Sequence, residues 1–126
     1  MNEGVKKLFS LGDLIRALEE LPDKDKEVWF DIPEARPTTF GSDRGYYCDI
    51  AIGFEVGYGS GPKVTELLEK ARKSCGETYT GWKGGEYTMK KSTRLWVANQ
   101  GCVNDVRICG VDDSSWCVVL QTIKSE

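Results

Sequence analysis

A chain of 126 residues, 40% hydrophobic and 29% charged, has the length and make-up of one small globular domain that needs no disulfide or metal staple. No apolar run approaches the ~20 residues of a membrane span. Met1 to Ser10 lacks the apolar stretch and small-residue cleavage site of a secretory signal, so a soluble cytosolic protein is expected. The net charge of −3 argues against general nucleic-acid binding.

The first helix is predicted to open at Ser10, a good N-cap, with Asp13 at the capping-box position. Leu11, Leu14, Ile15 and Leu18 form its apolar stripe, and Pro22 with Asp23 stops it. Glu27 to Asp31 reads as a short strand with Val28 and Phe30 on one face. Ile32 to Gly45 reads as a loop punctuated by Pro33, Pro37, Gly41 and Gly45. Tyr46 to Phe54 is a strong strand: Cys48, Ile50, Ile52 and Phe54 share one face, Tyr47, Asp49 and Ala51 the other. Gly57, Gly59 and Gly61 form a flexible connection, and Pro62 suits the first turn of a second helix. That helix buries Val64, Leu67, Leu68, Ala71 and Cys75, with Gly76 at its C-terminal cap. Glu86 to Met89 and Leu95 to Asn99 read as strands. Asp105 to Val111 and Trp116 to Ile123 read as a hairpin turning at Asp112 to Ser115. The predicted fold is α+β: a single domain in which two helices pack against an antiparallel sheet.

Chemistry narrows next. The five cysteines are odd in number, no CxxC spacing occurs, and there is no histidine. A zinc centre needs clustered thiolates or imidazoles, so no metal is expected and the thiols are read as free. Without histidine the commonest proton shuttle near neutral pH is missing, and no carboxylate, lysine or cysteine has a recognisable catalytic setting. A binding protein without catalysis or cofactor is therefore expected. From Glu69 to Arg94 seven basic residues face three acidic ones, a local surplus of +4 in an acidic protein that can hold a compact anion.

Four stretches are candidates for a site. In Ser42-Asp43-Arg44-Gly45-Tyr46-Tyr47, Arg44 offers a planar fork of donors to phosphate and Tyr46 and Tyr47 offer stacking rings. A surface arginine beside core-packing tyrosines explains the same residues. From Thr78 to Tyr87, the glycines Gly81, Gly84 and Gly85 alternate with Tyr79, Trp82 and Tyr87, the hydroxyls of Thr78 and Thr80, and Lys83. Glycines let the backbone approach a ligand and turn its N–H groups inward, although the Walker A spacing is missing. An irregular hairpin with aromatics at its base is the plainer reading. The glycines before the second helix fit a flexible loop better than a dinucleotide fingerprint. Arg107, opposing Val106 and Ile108 on a strand, is either an ordinary solvent-facing residue or reaches a site from the outer face.

Leu11-Gly12-Asp13-Leu14-Ile15, Arg44-Gly45-Tyr46-Tyr47 with Asp49-Ile50-Ala51, the Leu67-Leu68 helix, Thr78 to Met89 and Thr93 to Ala98 together resemble a family of small phage proteins. These are the first described type of Thoeris anti-defence sponge. In order and rough spacing the resemblance runs from Leu11 to about Gly101; the final hairpin matches less clearly, and Trp82 stands where the family pattern suggests a tyrosine. The resemblance implies a non-catalytic phage protein, acting in the cytoplasm of the infected host. It would sequester isomers of cyclic ADP-ribose, and in some members cyclic oligonucleotides at separate sites, with pockets formed between subunits of a homo-oligomer (a dimer or hexamer). It assigns Arg44 to phosphate, Tyr79 or Trp82 to the base, and Thr80 with the Gly84-Gly85 backbone to donors. Tyr46, Tyr47, Lys83 and Arg107 complete the nominated site. A rival reading is an anti-CRISPR-like inhibitor that covers a host protein with the acidic Glu19, Glu20, Asp23, Asp25, Glu27 and Asp31. A signal-degrading enzyme using Asp31, Asp49 or Glu86 ranks below both.

Overall fold

The computed structural model describes residues 8–43, 46–57, 59–80, 85–97, 106–115 and 117–124; for 41–43, 46–49, 79, 80 and 124 it describes the backbone only. Two helices, α1 (Leu11–Glu19) and α2 (Val64–Ser74), accompany strands β1 (Glu27–Phe30), β2 (Ala35–Asp43), β3 (Tyr46–Val56), β4 (Thr78–Thr80), β5 (Glu86–Thr88), β6 (Leu95–Val97), β7 (Val106–Asp113) and β8 (Cys117–Lys124). The fold is α+β. The main sheet has six strands in the order β1-β8-β7-β6-β3-β2, while β4 and β5 pair as a separate two-stranded ribbon.

The sheet is mixed, which corrects the expectation of an antiparallel one. Pairs β2–β3, β6–β7 and β7–β8 are antiparallel, but β1–β8 and β3–β6 are parallel. Each antiparallel pair joins strands that are consecutive in the chain. Strand β3 returns to β6 only after α2 and the β4–β5 ribbon, and a long crossover of that sort allows parallel pairing. The edge strands β1 and β2 approach each other, so the sheet is nearly closed. Across that seam the rings of Phe30 and Phe54 meet edge-on, with centroids 6.0 Å apart and an interplanar angle of 79°.

The strand β2 runs through the stretch expected to be a loop. Pro37 lacks an N–H, yet β2 is an edge strand with register shifts between Pro37 and Thr39 and between Gly41 and Asp43. An edge position with a bulge is where a sheet tolerates proline. The Thr38-Thr39-Phe40 run then pairs with β3, where Gly53 and Ile52 stand opposite Thr39 and Phe40.

The helices follow their patterns closely. Ser10 caps α1: its hydroxyl accepts from the Asp13 amide at 3.3 Å, and the Asp13 carboxylate accepts from the Ser10 amide at 3.0 Å. Leu11, Leu14, Ile15 and Leu18 are all buried. On α2 the stripe is Val64, Leu67, Leu68, Ala71 and Ser74; Cys75 is the half-buried C-cap and Gly76 follows at φ +99°. Pro62 lies just outside the helix, before the N-cap Lys63, and its carbonyl accepts from the Val28 amide at 2.7 Å. Of the glycines before it, Gly61 is the one closely packed against backbone. A Cβ on Gly61 would come within 2.6 Å of the Val28 carbonyl oxygen.

Both helices cover one face of the sheet. Their stripes join Val28, Phe30, Ile50, Ile52, Leu95, Val97, Ile108, Val118 and Leu120 in one apolar core. Full burial contributes about 1.5–3 kcal/mol per large aliphatic side chain, so this cluster dominates the stability of the fold.

Candidate functional site

The start of α1 anchors the turn formed by residues 90–94. An α-helix leaves its first amides without intrahelical partners. Here the Leu11 amide donates to the Thr93 carbonyl and the Gly12 amide to the Lys91 carbonyl, both at 2.8 Å. Gly12 allows that approach: a Cβ there would stand 2.9 Å from the Lys91 Cβ and 3.0 Å from its carbonyl oxygen. The tethered segment is itself a tight turn. The Thr93 amide donates to the Lys90 carbonyl at 3.0 Å, and the Lys90 amide to the Thr93 hydroxyl at 2.7 Å. Arg94 bridges Ser10 in antiparallel fashion, and its carbonyl accepts from the Ile50 amide at 3.0 Å.

The β4–β5 ribbon rises beside this turn. Its pairing puts Thr78 opposite Thr88, Tyr79 opposite Tyr87 and Thr80 opposite Glu86. At its base the Met89 amide donates to the Glu77 carbonyl, and the Gly76 amide to the Met89 carbonyl, each at 2.8 Å. Met89 is buried in the core while Glu86, Tyr87 and Thr88 are exposed. One buried methionine thus roots a ribbon whose outer strand faces solvent. Between ribbon and turn lies a cleft of about 400 Å³ lined by Glu86, Tyr87, Thr88, Lys90, Ser92, Thr93 and Arg94.

The strand β3 reaches the same end. It runs parallel to β6 with Ile50 opposite Leu95, so the Tyr46–Asp49 backbone continues alongside the 90–94 turn. Topology therefore gathers the tyrosine stretch of β3, the glycine-aromatic ribbon and the basic turn at one end of the molecule.

Of the residues expected in a site, Arg44, Trp82, Lys83 and Gly84 lie outside the described residues. Tyr46 and Tyr47 are placed by backbone on β3, and Tyr79 and Thr80 on β4. Gly85 is exposed at the ribbon, with the Tyr87 hydroxyl 3.4 Å from where its Cβ would stand. The expected plainer form of this stretch, a hairpin with aromatics near its base, agrees with the β4–β5 pairing of Tyr79 and Tyr87.

Arg107 is not the ordinary solvent-facing residue of the first expectation. It is only 8% exposed, its Nε donates to the Leu95 carbonyl at 3.0 Å, and its Nη2 donates to the Phe9 carbonyl at 3.1 Å. The guanidinium lies 4.8 Å from the Trp96 ring centre, and that of Arg94 stands 5.8 Å from the same ring. Burial with two charge-assisted hydrogen bonds makes Arg107 a clamp that fastens the segment before α1 to β6. Its strand position showed which face it occupies but not that other chain segments cover it.

Lys90, Ser92 and Arg94 line the cleft between ribbon and turn without having been nominated for a site, while Tyr87 belongs to the expected Thr78 to Tyr87 stretch. The charge surplus from Glu69 to Arg94 pointed to the region. What one-dimensional reading lacked was the tether from α1 that turns the basic segment into a fixed wall.

A second, larger cleft of about 690 Å³ is lined by Asp23, Asp25, Lys26, Glu27, Trp29, Ser115 and Cys117. Two of its charged residues, Lys26 and Glu27, are engaged within the fold. The Glu27 carboxylate accepts from Trp29 Nε1 at 3.1 Å and from the Gly61 amide at 3.0 Å, and Lys26 pairs with Asp113 at 2.8 Å. Three carboxylates make it unsuited to an anion. Among the described residues no helix is long and apolar enough to cross a membrane. No protein family, curated protein or solved structure matches the chain.

Proposed function

We propose that the chain binds and sequesters a cyclic nucleotide-like signal of the cyclic ADP-ribose class, without cleaving it, as a phage counter-defence sponge assembled as a homo-oligomer. The observation that carries this reading is the convergence, at one end of the fold, of the β4–β5 ribbon with its exposed Tyr87, the β3 backbone at Tyr46 and Tyr47, and a cleft bearing Lys90 and Arg94. A nucleotide presents a flat base, ribose hydroxyls and phosphates. Aromatic surface, hydroxyl donors and cations meet those three needs. Retention without turnover requires no general base, which suits a chain without histidine.

The acidic surface of the rival inhibitor reading gains less support. Asp31 accepts from the Thr122 amide at 2.9 Å and from its hydroxyl at 2.6 Å, and Glu19 pairs with Arg72 at 2.8 Å, so part of that charge is spent within the fold.

Purified protein would be incubated with a panel of cyclic ADP-ribose isomers and cyclic oligonucleotides, washed, heated, and its released ligand identified by mass spectrometry. Release of an intact compound from wild type, lost in Arg44→Ala and Trp82→Ala, is expected. A released cleavage product would replace the sponge by an enzyme. No retention of any compound would turn attention to a host protein partner.

A further inference from the structure

We infer that the cleft between the β5 strand and the 90–94 turn is a phosphate-binding subsite in which Lys90 and Arg94 hold the phosphoryl oxygens and Tyr87 borders the attached nucleoside. This rests on the nucleotide-binding reading above and adds residues to it. Preorganisation favours this subsite. A flexible lysine or arginine on a mobile loop loses much of its binding energy in being ordered, whereas cations on a fixed frame lose less.

The 90–94 frame is fixed from several directions. It is closed by its own two hydrogen bonds, tethered to α1 at Leu11 and Gly12, and tied to β3 through Ile50. The guanidinium of Arg94 rests near the face of Trp96, a buried ring already covered by Arg107. Such contact orients the planar guanidinium beside the cleft.

The composition of the walls favours a phosphate over other anions. Two cations stand beside the hydroxyls of Tyr87, Thr88 and Ser92, and Glu86 is the single carboxylate of the lining. The Thr88 hydroxyl shares a hydrogen bond with Thr78 at 3.0 Å, which ties that wall to the ribbon. A tetrahedral phosphate has enough oxygens for several donors at once, and a cleft of about 400 Å³ matches a compact group rather than an extended acidic peptide.

The test uses calorimetric titration of the intact protein with inorganic pyrophosphate, ADP, adenosine and a hexa-aspartate peptide. The variants are Arg94→Gln, Lys90→Gln and Lys73→Gln, the last removing an exposed cation of α2 in the same basic tract. Melting curves identify any variant that fails to fold; Lys90 is exposed, so its variant keeps the test available if Arg94→Gln does not fold. The expected result is binding of pyrophosphate and ADP ahead of adenosine. Lys90→Gln and Arg94→Gln should each weaken it about tenfold and Lys73→Gln should leave it unchanged. Equal weakening by all three variants, preference for the peptide, or no pyrophosphate binding by wild type would overturn the subsite.

The sponge reading fails separately. Undiminished capture of a cyclic nucleotide by Arg94→Gln would remove the subsite and leave the sponge. The expected pyrophosphate pattern with no cyclic nucleotide captured would keep the subsite and remove the sponge.

Discussion

The helix-covered face of the sheet and the ribbon end are built on opposite terms. On the first, Leu11, Leu14, Leu18, Ile50, Ile52, Leu67, Leu95, Ile108 and Leu120 are inaccessible to solvent, and among the described residues no buried side-chain nitrogen or oxygen lacks a hydrogen-bond partner. On the second, a strand with all three residues exposed stands beside cations and hydroxyls around an open cleft. Apolar burial gives stability and leaves nothing for a ligand to bind. Exposed aromatic and charged groups contribute little to folding, so their presence on a well-anchored ribbon calls for another use.

Substitutions can break this contrast, beginning with the largest effect. Leu14→Ala should destabilise the protein by about 2–5 kcal/mol in denaturant titration, through lost burial and the cavity left behind. While folded, it should still capture ligand; selective loss of capture would tie the core to the site. Arg107→Met comes next, at about 3 kcal/mol, because two hydrogen bonds to a charged group disappear from a covered position. A near-neutral result would mean that the clamp is dispensable. Gly12→Val should cost about 1–3 kcal/mol, since its side chain would press on the Lys91 backbone. It should also weaken capture beyond what its stability loss explains, because the turn carrying Lys90 would shift. Tyr87→Ala should change stability by no more than about 0.5 kcal/mol, as expected for an exposed side chain, yet reduce ligand retention clearly. The opposite pattern would make the ribbon structural.

Much of the fold could be read from local pattern. Ser10 with Asp13 announced α1, the spacing of Val64, Leu67, Leu68 and Ala71 announced α2, and alternation announced β3. Strand β2 was hidden because Pro37 is a poor strand residue anywhere but at a bulged edge, and edge position is a tertiary property. The parallel pairs were hidden for the same reason: nothing within Glu27–Phe30 specifies Cys117 to Leu120 as its partner. At the candidate site, composition pointed to the Thr78 to Tyr87 stretch and to the basic segment. It did not show that hydrogen bonds from α1 pin Lys91 and Thr93, which gives Lys90 and Arg94 a fixed place. Nor did it show Arg107 covered by other segments of the chain.

Under the proposed function, binding belongs to the ribbon end while the remainder is scaffold. Hydrogen exchange followed by mass spectrometry tests this most directly, with the protein measured alone and with a retained cyclic ADP-ribose isomer. Slowed exchange is expected to concentrate in peptides covering Tyr46–Asp49 and Thr78–Arg94, with the rest of the backbone little changed. Protection centred instead on Asp23–Trp29 and Ser115–Cys117, or absent throughout, would contradict it.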